Sequence, residues 1–133
     1  MSTLAMMEVQ RALYAKLTAD GVLMGMISGV YDAVPQTAAL PYVVIGDGDA
    51  ECTPELAAQV TQCQWTIEVW TNASGRKSAL TILNRLHGLL HQGDITLTGL
   101  TLIGVTVTRA QTQVDTEKER VFGLLELRLM VRE

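Results

Sequence analysis

Near the start of the chain, apolar residues return every three or four positions at Met6, Val9, Leu13 and Leu17, while Glu8, Arg11 and Lys16 fall on other faces. That spacing predicts an amphipathic helix, with Ser2 or Thr3 placed to cap it. Asp20-Gly21 interrupts it, and Asp20 is positioned to cap a short further turn from Val22 to Met26. Pro35 and Pro41 then punctuate the chain, and Tyr42-Val43-Val44-Ile45 reads as a strand beginning directly after a proline. From Gly46 to Gln59 no hydrophobic period is visible and four acids appear, Asp47, Asp49, Glu51 and Glu55, so the segment reads as an exposed loop.

Val60 to Thr71 alternates cleanly. Cys63, Trp65, Ile67 and Val69 lie on one side and Gln62, Gln64, Thr66 and Glu68 on the other, so Trp70 falls on the polar side. Asn72 or Ser74 is placed to cap a second helix reaching about His91, with Leu80, Leu83, Leu86 or His87, and Leu90 as its inward stripe. After Gly93-Asp94 a strand pair is expected, Ile95 to Leu97 and Thr101 to Ala110, turning at Gly99 and burying Ile103, Val105 and Val107. Gln111 to Arg120 reads as a charged loop, and Val121 to Val131 as a strand that buries Leu125, Leu127, Leu129 and Val131. The order predicts one α+β domain over residues 1–133: a mostly antiparallel sheet of four to five strands with two amphipathic helices packed on one face. Trp70, Phe122, Leu124 and Met130 alternate onto the opposite face, which marks them as candidate subunit-interface residues, because large apolar groups there call for a cover.

At 133 residues and 48% apolar composition the chain has enough core material for one domain. Its net charge of −4 is unevenly spread. Between Lys16 and Arg76 there is no base, but Asp20, Asp32, Asp47, Asp49, Glu51, Glu55 and Glu68 all lie there, which opposes duplex binding, and no basic stripe elsewhere tracks a phosphate backbone. No apolar run spans a membrane and the first residues lack a secretory pattern, so a soluble cytosolic product is expected, with Cys52 and Cys63 reduced.

Each candidate for chemistry has a plainer reading. His87 and His91 share the four-residue helical spacing of a metal pair but lack an adjacent Glu and a third ligand, so a solvated or core-edge pair is expected. Asp47-Gly48-Asp49-Ala50-Glu51 lacks the spaced acceptors and closing Glu of a calcium loop. Gly75-Arg76-Lys77-Ser78 has an Arg between Gly and Lys and no earlier Gly at the spacing of a phosphate loop. No serine sits in a nucleophile elbow and neither cysteine has a histidine beside it in sequence. The expectation is a non-enzyme with no cofactor and no metal.

Several ordered landmarks remain: the opening helix with Ala12-Leu13-Tyr14, then Val30-Tyr31-Asp32-Ala33-Val34-Pro35, Leu40-Pro41-Tyr42-Val43-Val44-Ile45-Gly46 and Ile67-Glu68-Val69-Trp70. Gly75 with its alanine-containing helix, Leu86-His87-Gly88-Leu89-Leu90 and Arg120-Val121-Phe122-Gly123 follow. Together they resemble the tail-completion or tail-terminator proteins of long-tailed phages, prophages and gene transfer agents, over nearly the whole chain. The resemblance implies a homo-oligomeric ring, usually of six copies, at the head-proximal end of the tail tube, assembled in the host cytoplasm and found in the virion. Its implied partners are copies of itself, the tail tube protein and the head connector. Asp47, Asp49, Glu51 and Glu55 are then a candidate partner-facing or channel loop. The alternatives are another neck component, head-closure or adaptor, and outside that setting a small cytosolic binding module or a metal-dependent enzyme.

Overall fold

The computed structural model describes residues 5–53, 60–72, 76–118 and 120–132. Helix α1 (Ala5–Thr18) and a short α2 (Gly21–Met24) precede β1 (Val30–Tyr31), β2 (Tyr42–Thr53) and β3 (Val60–Thr71); α3 (Lys77–Leu90), β4 (Thr101–Asp115) and β5 (Arg120–Arg132) complete the fold. The strands form one sheet in the order β1-β2-β3-β5-β4. Among the described residues only β1 pairs in parallel, with β2; every other pairing is antiparallel. The α+β architecture, a largely antiparallel sheet with α1 and α3 on one face, is the one the alternating sequence called for.

The core lies between helices and sheet. Val9, Leu13 and Leu17 of α1 belong to one buried cluster with Ile67, Leu125, Leu127 and Leu129 of the central strands, all fully buried or nearly so. In α3 the inward stripe is Ala79, Ile82, Leu83, Leu86 and Leu90. Leu80, expected inward, is 52% exposed, because Ala79 already occupies that arc of the helix and the next position turns about 100° away. His87 is exposed and Leu86 takes the inward place. The Asp20 cap is real: its carboxylate accepts the Leu23 N–H at 2.8 Å. Helix α3 starts at Arg76 without a side-chain cap, so Asn72 does not serve; Ser2, Thr3 and Ser74 lie outside the described residues.

Three loop and strand expectations are corrected. Strand β2 runs on through Gly46 to Thr53, where a loop was expected. Its inward positions Gly48 and Ala50 pair with Trp65 and Cys63, and an alanine Cβ at Gly48 would lie 2.4 Å from the Trp65 ring. The indole fills the space that a side chain at Gly48 would need, and an irregularity between Ile45 and Gly48 shifts the inward positions by one residue, so the alternation is broken there and resumes in small residues. Strand β4 likewise extends to Asp115, with Ala110, Thr112 and Val114 on the helix side and Gln111 and Gln113 on the other. Two bulges, between Leu102 and Gly104 and between Val107 and Arg109, break its period. The first turns Ile103 out, 53% exposed.

The third correction concerns Ile95 to Leu97, which is not a strand. Ile95 is buried, and the following residues are fixed to α1: the Thr98 N–H donates to Glu8 Oε1 at 2.6 Å, and Arg11 donates to the Thr96 carbonyl at 3.4 Å. Side-chain anchoring to a helix replaces ladder pairing there.

Candidate assembly surface

The sheet face turned away from the helices carries the predicted apolar side chains, but not as one group. Strand register places Tyr42 opposite Trp70 and Trp70 opposite Phe122, a row across three neighbouring strands. The Trp70 and Phe122 rings lie 4.7 Å apart in a tilted pair, and the Trp70 indole N–H donates to Glu68 Oε1 at 3.1 Å. One step along, Val44, Glu68 and Leu124 are aligned. Tyr31 meets Tyr42 edge to face with ring centroids 5.8 Å apart, which extends the aromatic contact to β1. Trp70, Phe122 and Leu124 are only partly buried.

Met130 stands apart. It pairs with Gln62 and Gly104, about 27 Å along β5 from Phe122 at roughly 3.4 Å per residue, with Glu126 and Arg128 between them on the same face. Tyr42 and Val44 belong to the aromatic end and were not singled out from sequence; the signal was their two-residue spacing in a strand whose neighbour carries Trp70. Beside Trp70 and Phe122, a shallow depression of ≈ 530 Å³ is closed by Gln113, Asp115 and Glu117.

The acids Asp47, Asp49 and Glu51 are exposed, as expected, but they sit on a strand. Asp49 and Glu51 face Gln64 and Gln62 on the same sheet surface as the aromatic row, at its other end. Glu55 lies outside the described residues. On the helix side, a groove of ≈ 750 Å³ between α1 and the β1–β2 edge is lined by Met6, Met7, Tyr14, Ile45 and Trp65. The Trp65 indole nitrogen is buried without a hydrogen-bond partner.

Among the described residues two charged contacts fasten the fold, while a third, Arg109 with Glu126 at 3.9 Å, lies exposed on the sheet. Arg85 grips Asp20 through two nitrogens at 2.8 and 2.6 Å, which together with the Leu23 N–H holds the Asp20 carboxyl down at about 2. Glu8, bonded by Arg11 and the Thr98 N–H, is also held below the usual carboxylate range. Burial pushes the Cys63 thiol up, with the Asp49 charge adding to it; this cysteine is free. His87 and His91 stack with centroids 4.7 Å apart, and His91 Nδ1 accepts the Val107 N–H at 3.0 Å, so that nitrogen is committed to the β4 backbone. Among the described residues no three His, Cys, Asp or Glu side chains gather around a common metal position, and no helix is long and apolar enough to cross a membrane.

Solved structures share this architecture. A protein in the virion of a native gene transfer agent particle matches with a TM-score of 0.87 and 27% identity, covering 99% of this chain and 100% of that one. The gp17 protein of bacteriophage SPP1 matches with a TM-score of 0.69 and 24% identity, covering 96% of this chain and 91% of that one, which bears on the fold alone. No curated protein matches the chain in sequence. Residues 11–132 match the model of the tail completion protein gp17. Together with the likeness to the gene transfer agent protein, this match places the chain in the class of phage tail structural proteins. Within that class, the chain belongs to the tail completion protein gp17 family.

Proposed function

We propose that the chain closes into a ring of identical copies that caps the head-proximal end of a tail tube and joins it to the head connector. Membership of the tail completion family over residues 11–132 carries this reading. It is supported by the likeness to a component of a gene transfer agent virion. The surface chemistry suits the role. Trp70, Phe122 and Leu124, with Tyr42, form an aromatic end that assembly covers, while Asp47, Asp49 and Glu51 gather negative charge at the other end, where passing DNA is repelled rather than held. No step of this function requires a cofactor, because capping and joining are geometric.

The test is deletion of the gene from a particle-producing strain. The expected products are DNA-filled heads and separate tails, some of abnormal length, because an uncapped tube keeps a polymerisable end. Normal joined particles would overturn the assignment.

A further inference from the structure

An antiparallel sheet that does not close leaves two rows of backbone N–H and C=O groups, and proteins normally cover such edges. Here each edge has a described cover along only a short stretch. On the β2 side, β1 pairs with Val43 and Val44 only, and beyond them no described backbone group bonds to the outer edge. On the β4 side, the Gln92 N–H donates to the Val105 carbonyl at 2.9 Å and His91 Nδ1 accepts from the Val107 N–H, so residues 105–107 are capped. From Arg109 to Asp115 the outer edge of β4 has no described backbone partner. The open halves lie at opposite ends of the sheet, since Asp49 is level with Arg128 and Thr106, whereas Gln111 is level with Leu124.

We infer that the open half of β2 in one copy pairs with the open half of β4 in the next, Gly48 to Glu51 lying antiparallel to Arg109 to Thr112, which makes the sheet continuous around the ring. The inference rests on the ring proposed above and names its contact. Four features fix this arrangement.

Strands β2 and β4 run in opposite directions within one copy, so rotation about a ring axis brings them together antiparallel. With Asp49 opposite Gln111, face matches face: Gly48 and Thr112 point to the helix side, Asp49 and Gln111 away from it. The same register sets Glu51 against Arg109, which within its own copy lies 3.9 Å from Glu126 and donates to Gln111 Oε1 at 2.6 Å, so an acidic edge meets an exposed base already aimed along the same face, and it ends before the His91 cap. The helix-side Val114, 37% exposed, then approaches the neighbour's apolar groove between α1 and Ile45.

The offset also agrees with ring closure. Four residue levels along the strand are about 14 Å, and four strand spacings across are about 19 Å. Copies at equal height then require strands tilted by about 36° to the ring axis, inside the 35–45° typical of closed sheets.

Disulfide capture tests this in the full chain with Cys52→Ser as background. Asp49→Cys with Gln111→Cys places both thiols on one face at about the 5 Å Cβ separation of opposed residues, and should give a ladder of cross-linked copies on oxidation, in concentrated solution or on isolated tails. Asp49→Cys with Thr106→Cys would be joined only if copies met without offset, and should stay uncross-linked. Independently, Glu51→Arg or Arg109→Glu alone should weaken assembly by about two- to fivefold, the scale of an exposed ion pair, and the double exchange should restore it. A ring seen by mass measurement but lacking the Asp49–Gln111 ladder overturns this pairing and leaves the ring. A ladder through Thr106 overturns the offset. A chain that stays single even on tails overturns both readings.

Discussion

Alanine at Gly48 is a sharp probe of why β2 reads so poorly in the sequence. Its Cβ would stand 2.4 Å from Trp65 Cε2 and 2.5 Å from Cδ2 and Cζ2, whereas carbon atoms pack at about 3.5–4.0 Å, so the ring or the strand has to yield by about 1 Å. The ring is held in place: Trp65 is 3% exposed, and Ile67 and Cys63 flank it on the same face. Overpacking of this kind costs about 1–3 kcal/mol. With a urea dependence of about 2 kcal/mol per molar, Gly48→Ala should lower the unfolding midpoint by about 0.5–1.5 M, followed by far-ultraviolet circular dichroism. The cost should fall below about 1 kcal/mol in a Trp65→Leu background, where the indole is gone. Gly88→Ala is the opposing control. It sits mid-helix in α3 with nothing within 4 Å of the new Cβ, and should raise stability by about 0.5–1 kcal/mol. A Gly48→Ala protein as stable as its parent, or a cost unchanged by removing the indole, would refute the account of β2.

Acid should loosen the protein in a defined window. The Asp20 carboxyl is held at about 2 against an ordinary 3.8, and Glu8 is lowered in the same sense. Around and below the ordinary carboxyl values, 4.5 for Glu8 and 3.8 for Asp20, the unfolded chain binds more protons, so their contribution is complete only above about pH 5 and is lost as pH falls towards 2. The urea midpoint should be flat down to about pH 5 and then decline, with a smaller decline in Asp20→Asn; a midpoint constant to pH 2 would count against these contacts. Trp70→Glu should leave the folded single chain intact by circular dichroism and block its assembly. Outright unfolding would show Trp70 to be a core residue. Neutralising Asp47, Asp49, Glu51 and Glu55 together should alter tail joining or DNA ejection most at low salt, and no change at any salt concentration would remove the charged edge from the mechanism.

What could be read from the sequence was what large side chains wrote in a regular period. The alternation through Cys63, Trp65, Ile67 and Val69, the matching Leu125, Leu127 and Leu129, and the stripe of α1 fixed the central strands and the face they bury. The ends of β2 and β4 were missed for different reasons. In β2 an irregularity between Ile45 and Gly48 shifted the period and the Trp65 ring left no room for a side chain at Gly48, so the inward face carried no continuous hydrophobic signal. In β4 two bulges changed the face of successive residues, turning Ile103 outward and hiding the continuation through Ala110, Thr112 and Val114. The outward aromatic residues were visible as exceptions to a polar alternation. Their division into an aromatic end and a remote Met130 depended on strand register, which no single strand's pattern contains.

The two proposed contacts, edge and face, are each too weak alone, and that sets how assembly should depend on concentration. Covering the remaining exposed parts of Tyr42, Trp70, Phe122 and Leu124 would remove about 200–300 Å² of apolar surface from water. At about 25 cal/mol per Å² this gives about 5–8 kcal/mol, near the lower part of the roughly 4–15 kcal/mol that association costs in lost freedom. Four residues of edge pairing add about 0.5–1.5 kcal/mol per hydrogen bond, a similarly small sum. A copy free in dilute solution satisfies neither contact fully and should remain single, whereas a copy delivered to a tube end meets the tube and its neighbours at once, so that the later contacts form at high effective concentration. Light scattering across a concentration series should therefore show single chains at low concentration and rings only at high concentration or when isolated tubes are added. Stable rings at the lowest measurable concentration would mean that one of the two contacts is far stronger than its area and bond count allow.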